Sequence, residues 1–185
     1  PKERVFLGDK LSDGDVIVLI ESSGIHANGI SFVRKMAEDT PGIYEEKLSD
    51  GRMFGDAILT PTHLYVDFVK QFLEAKTDLH YMVNITGTGW RATKDFTYRI
   101  TAVPTPQPEF MFMQQATGTS DEEMWGNFNM GAGFAVYVPE SDAQKVLATA
   151  EQCGFTALIA GKVEAGPKQV IIEPKNITFK GDTLE

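Results

Sequence analysis

The chain has 185 residues, 42% hydrophobic and 23% charged, with 17 Lys and Arg against 26 Asp and Glu for a formal net charge of −9. That length and balance give one globular domain with a sizeable core, and the acidic excess argues against nucleic acid or an anionic membrane as partner. No apolar run approaches the roughly 20 residues of a membrane helix, no leader pattern follows Pro1-Lys2-Glu3-Arg4, and the single Cys153 excludes an internal disulfide and fits a reducing, cytoplasmic compartment.

In chain order, Asp15 to Ile20 is a Val/Ile-rich run that reads as a buried strand. It leads into the small-residue loop Ser22-Ser23-Gly24-Ile25-His26-Ala27-Asn28-Gly29 and then a helix with Phe32, Val33 and Met36 as its apolar stripe. Thr60-Pro61 predicts a helix start, Thr as N-cap and Pro in the first turn, with Leu64, Tyr65, Phe68, Val69, Phe72 and Leu73 recurring at helical spacing. His80 to Thr86 and Phe96 to Val103 read as strands, the second ended by a loop carrying Pro104, Pro106 and Pro108. Ser120-Asp121-Glu122-Glu123 starts a helix running to about Phe128. Phe134 to Val138 is a strand, Ser141 caps a helix stopped by Gly154, and Phe155 to Val163 returns as a strand. Two short strands, Gln169 to Ile172 and Ile177 to Phe179, finish the chain. The irregular alternation predicts an α+β fold of layered helices on a mixed β-sheet.

Strand, glycine loop and helix N-terminus form an arrangement that offers backbone N–H groups to an anion such as phosphate. Gly24 and Gly29 permit positive φ and close approach. The competing reading is a tight structural turn with Ser and Asn as caps. Of the three histidines, His26 sits in this loop and can reach a ligand, whereas His63 reads as a surface residue in a first helical turn and His80 as structural. Asn84, Thr86, Gly87 and Gly89 lie at a strand's C-terminal end, where sheets of this kind gather ligands. Asn129, Gly131 and Gly133 form a second polar turn feeding a strand. Metal-ligand spacing is missing, so no metal site is expected. No nucleophile motif appears either, and the catalytic residues stay unassigned.

Four segments in order carry a resemblance. Ser22 to Gly29 with Phe32-Val33-Arg34-Lys35 is similar to the S-S-G-L-H-S-N-G…L-V-R-K signature of aminoimidazole ribonucleotide synthetases, the phosphoribosylformylglycinamidine cyclo-ligases of purine biosynthesis. Leu59 to Val66 resembles the family's L-T-P-T-R-I-Y-V, Asn84 to Gly89 its H-I-T-G-G-G, and Glu123 to Gly133 its E-M-Y-x-x-F-N-M-G-x-G. The chain departs from the pattern at Asn84, where the family has His, and at Thr88, where it has Gly.

All four motifs belong to the family's C-terminal domain. The resemblance therefore implies a single domain over residues 1–185 with ferredoxin-like β-α-β elements, and a separate N-terminal ATP domain outside this sequence. It further implies ATP and magnesium for the full-length protein, a phosphorylated small-molecule substrate, a homodimer, and an isolated domain without ligase turnover. The residues it points to as substrate- or phosphate-binding are Ser22, Ser23, Gly24, His26, Asn28, Gly29, Asn84, Thr86, Gly87, Gly89, Asn129 and Gly131. Two other readings stand beside it: a related ATP-dependent synthetase acting on another small substrate, and a non-catalytic ligand-binding or regulatory module.

Overall fold

The computed structural model describes residues 8–86, 90 and 95–181. Its centre is β1 (Val16–Glu21), the run VIVLIE, with both faces covered so that Val16 to Ile20 are all buried. A strand buried on two sides has no use for polar alternation, and the continuous apolar run follows from that. β1 pairs antiparallel with β4 (Ala132–Val138) on one side and β5 (Ala157–Glu164) on the other. With β2 (Tyr81–Asn84), β3 (Thr97–Ile100), β6 (Gln169–Ile172) and β7 (Ile177–Lys180), these form one seven-stranded sheet in the order β2-β4-β1-β5-β3-β6-β7. Only β3 and β6 pair in parallel among the described strands, so the sheet is mixed.

β4 and β5 flank β1 and are joined by α6 (Ala143–Gln152), a split β-α-β unit of the ferredoxin kind. On one face, Val16, Val18, Ile20, Phe134 and Val136 pack against Phe68 and Phe72 of α3 (Val66–Glu74) and Val146 and Ala150 of α6. On the other, Ile17, Leu19, Ala135 and Tyr137 share a core with Val33 and Met36 of α1 (Ile30–Asp39) and Phe54 of α2 (Phe54–Ile58). Phe110 and Met113 of α4 (Pro108–Thr117) and Met124 and Trp125 of α5 (Asp121–Asn127) complete that core. Helices thus lie on both faces of a mixed sheet, the expected α+β layering.

Several element ends move for local reasons. The helix expected from Thr60-Pro61 begins only at Val66, because residues 60–64 form no helix: Pro61 O accepts from Ser23 Oγ at 2.7 Å and Leu64 stands 79% exposed. Ser141 does not cap α6. It lies inside a 3-10 turn, Glu140–Asp142, and the N-cap residue is Asp142, whose carboxylate is taken by Asp78 N–H at 2.8 Å and Lys145 Nζ at 2.6 Å. The strands expected over residues 80–86 and 96–103 shrink to four residues each. Pro108, expected in a loop, is the first-turn proline of α4, a helix the sequence reading did not anticipate.

The start of α5 is as expected. Ser120 Oγ accepts from Glu123 N–H at 3.2 Å and the Glu123 carboxylate returns to Ser120 N–H at 3.2 Å, a reciprocal capping box. Ser120→Ala leaves the Glu123 amide without its acceptor and should cost about 1 kcal/mol in urea unfolding. A change within error would mean that packing of Met124 and Trp125 alone holds this helix.

Candidate functional site

The glycine loop leaves β1 with Ser22 and the Gly24 carbonyl tied down. Ser22 N–H donates to Gly131 O at 2.8 Å, Ser22 Oγ to Asn129 Oδ1 at 2.9 Å, and Asn129 Nδ2 to Gly24 O at 2.9 Å. The Asn129 side chain also accepts from Gly131 N–H at 2.9 Å and is itself buried. Gly24 holds φ +146°, and a Cβ there would fall 2.6 Å from Glu109 Oε1, so glycine is required on both counts. Gly29, at φ +105°, is the N-cap of α1, and a Cβ there would fall 2.7 Å from the Phe128 ring.

These anchors aim the rest of the loop at a cleft of about 440 Å³. It is lined by His26, Ala27 and Asn28 from the loop, Thr62, His63 and Tyr65 from the segment before α3, Asn84 and Thr86 at the end of β2, and Gly133 of β4. The predicted site residues therefore divide. His26, Asn28, Asn84 and Thr86 face the cleft, while Ser22, Ser23, Gly24, Gly29, Asn129 and Gly131 build the frame behind it. Gly87 and Gly89, with Thr88, lie outside the described residues. The sequence reading did not assign Ala27, Thr62, His63, Tyr65 or Gly133 to the site, although all but Ala27 and His63 match the quoted motifs.

His26 adopts φ 57°, a left-handed conformation uncommon outside glycine and asparagine. Its Nε2 accepts Ser23 N–H at 3.1 Å, which places the ring proton on Nδ1 in the neutral imidazole. Burial, then the neighbouring His63, pull its pKa down to about 4. His63 is not the free surface residue expected: its ring packs edge-on against Phe155 at 5.2 Å and His26 at 6.3 Å, and burial lowers its pKa too. Tyr65 Oη donates to Glu21 O at 2.9 Å, and burial raises its phenol pKa. Asn28 Nδ2 is committed to Asn127 O at 2.7 Å.

The lining thus presents hydroxyls, amides and neutral imidazole, with no Lys or Arg among the described lining residues. It can orient a polar ligand through hydrogen bonds. No group of three or more His, Cys, Asp or Glu side chains suited to a metal occurs among the described residues. His80, by contrast, is structural: its ring nitrogens meet Asp15 at 2.8 Å and Asp78 at 3.3 Å, away from the cleft.

Comparison with known proteins gives this architecture its place. The chain belongs to the AIR synthase related proteins, whose C-terminal domain matches residues 12–173. It is 38% identical over 168 residues to the phosphoribosylformylglycinamidine cyclo-ligase of Methanocaldococcus jannaschii, covering 88% of this chain and 48% of that protein. It is 36% identical over 178 residues to that of Clostridium novyi, covering 93% and 52%. The chain therefore spans about half the length of the curated relatives it matches.

Among solved structures, the hydrogenase maturation protein HypE shares the fold with a TM-score of 0.56 at 18% identity, over 88% of this chain and 50% of that one. T. maritima PurL complexed with ATP shares it with 0.52 at 14% identity, over 93% and 26%. Among the described residues, no helix is long and apolar enough to cross a membrane.

Two measurements probe the site. A Cβ on Gly133 would collide with Tyr65 Oη and come within 2.7 Å of His26 Cε1. Gly133→Ala should therefore break the Tyr65–Glu21 hydrogen bond and cost about 1–3 kcal/mol in denaturant unfolding; an unchanged midpoint would show that Tyr65 moves freely.

The second uses pH. His26 stays neutral in the fold down to about pH 4 but protonates near 6.5 when unfolded, so the unfolded chain binds more protons between those values. Its contribution to stability is intact above pH 6.5 and is lost as pH falls toward 4. With its partial exposure discounted, the loss is on the order of 2 kcal/mol. His26→Asn, which tolerates the left-handed backbone, should remove that part of the slope. Equal slopes for the two proteins would refute it.

Proposed function

We propose that this chain is the substrate-orienting part of an ATP-dependent cyclo-ligase of purine biosynthesis, acting on phosphoribosylformylglycinamidine. One observation carries the reading: three motif segments far apart in sequence, residues 26–28, 62–65 and 84–86, together with Gly133 of a fourth, line a single cleft. The family membership and the printed activity of the curated relatives support it.

Within this reading the chain's own residues bind and orient. Thr62 and Thr86 offer hydroxyls and Asn84 an exposed amide, while the neutral rings of His26 and His63 form an uncharged wall. ATP supplies a phosphoryl group that activates an amide oxygen for displacement. The described residues do not fit its magnesium, since they hold no suitable carboxylate cluster, and none of the described lining residues is a cation for a triphosphate. ATP and magnesium are therefore assigned to the half of the relatives' length that this chain does not span, together with the dimer contact. A cytoplasmic location belongs to the same reading.

A second reading, a related synthetase with another small substrate, is favoured by Asn84, which lines the cleft where the family motif has a titratable His. The two readings separate by titrating isotope-labelled chain with phosphoribosylformylglycinamidine, adenosine monophosphate and inorganic phosphate in parallel. Saturable amide shifts at residues 26–28 and 84–86 are expected with the first ligand, at an affinity at least about tenfold above inorganic phosphate. Shifts with none of the three would sink the cyclo-ligase reading, and a preference for adenosine monophosphate would favour the second. The chain alone should release no ADP.

A further inference from the structure

The first turn of α4 buries a carboxylate. Glu109 is 0% exposed; its Oε2 accepts from Arg52 Nη2 at 3.1 Å, and its Oε1, also buried, has no hydrogen-bond partner. Buried acceptors are rarely left unpaired, and a charged one is the costliest kind to leave so. That oxygen lies against the glycine loop, 2.6 Å from where a Cβ of Gly24 would stand.

The loop carries the matching deficit. Gly24 and Ile25 are both buried, and among the described residues neither backbone N–H has an acceptor. An acceptor without a donor thus faces a turn whose donors have no acceptor. Asn129 Nδ2 holds the carbonyl end of the Gly24–Ile25 peptide at 2.9 Å, which leaves its N–H end able to tilt. Glycine at position 24 is the residue type that permits such a tilt. The same turn is closed by the bond from Ser23 N–H to His26 Nε2, so a tilt at Gly24 is felt directly at the cleft.

We propose that Glu109 is a positioning residue for the cleft: its free oxygen is the acceptor onto which the Gly24–Ile25 backbone draws down, and this sets where His26 stands. Arg52 keeps the carboxylate in place from the opposite side, itself held by Asp50 Oδ2 at 2.7 Å. The closed setting of the loop is the one a ligand in the cleft selects, and this last step rests on the substrate reading above. A packing role alone would need neither a charge nor a free oxygen at this position. Methionine would fill the same volume.

Hydrogen exchange on the full 185-residue chain tests this, comparing Glu109→Met and Glu109→Gln with the unaltered protein. The ligand-free chain samples the closed setting part of the time, so the Ser23, Gly24 and Ile25 amides should exchange about twofold faster in Glu109→Met, while Glu109→Gln, which keeps an acceptor oxygen, stays near the unaltered rate. With phosphoribosylformylglycinamidine added, the Gly24 and Ile25 amides should slow further in the unaltered chain, and Glu109→Met should bind about tenfold more weakly.

Equal exchange at all three amides in folded Glu109→Met overturns the proposal, as does equal loosening by Glu109→Gln. If Glu109→Met does not fold, the Glu109→Gln comparison decides through the Ser23 amide: a rate unlike that of the unaltered chain overturns the proposal and a matching rate supports it. If the ligand fails to bind the unaltered chain, the substrate reading fails, while the ligand-free rates still decide the role of Glu109.

Discussion

The side chain of Asn129 joins the two turns on which the cleft depends. Its oxygen accepts from Ser22 Oγ and Gly131 N–H, its nitrogen donates to Gly24 O, and its own backbone carbonyl accepts from Trp90 Nε1 at 3.0 Å. A primary amide has donors and acceptors on one rigid plane, so it can bridge a strand exit and a strand start with fixed geometry. Buried as it is, each bond it lost would leave a polar group unsatisfied. The loop after β1 is therefore placed by β4. Since β1 and β4 pair in register from Val16↔Val138 to Ile20↔Phe134, the sheet sets the distance between the two turns.

The cleft built on this frame is polar without being charged. Its two histidines are pushed toward the neutral form by burial, and each lies within 6.3 Å of the other's ring, so protonating one would disfavour protonating the other. Negative charge on a ligand then meets no counter-charge among the described lining residues. Neutral donors are well suited to orienting a ligand and poorly suited to neutralising it.

Much of the fold could be read from the sequence where one local signal agreed with burial. The run Val16 to Ile20 is apolar without alternation because both faces are covered, and Ser120 with Glu123 announces a helix whose buried residues follow at once. Thr60-Pro61 misled because tertiary partners hold the segment: Thr60 Oγ1 accepts from Arg52 Nη1, Pro61 O accepts from Ser23 Oγ, and Tyr65 turns inward to Glu21. α4 was hidden by its own composition, since Pro108 looked like the last of three loop prolines and the helix behind it has apolar residues on more than one face. In the site, residue types pointed to the loop but not to which side chains would face the cleft. Ser22 and Asn129 carry the polar groups a ligand would use, yet they spend them on each other.

Gly133 shows how far the cleft depends on what is missing from a side chain. In β4 a glycine ordinarily weakens the strand, but here it makes room for the Tyr65 hydroxyl and the His26 ring against the sheet. Tyr65 in turn stacks on Phe134 at 5.1 Å and reaches back to Glu21, so the aromatic wall is held at both ends. Beside the rings of His26, His63 and Tyr65, Asn84 stands exposed at the end of β2. An asparagine there can hydrogen-bond but cannot exchange a proton near neutral pH. The described lining therefore meets a ligand through hydrogen bonds and ring faces, with no Asp, Glu, Lys or Arg side chain among its residues.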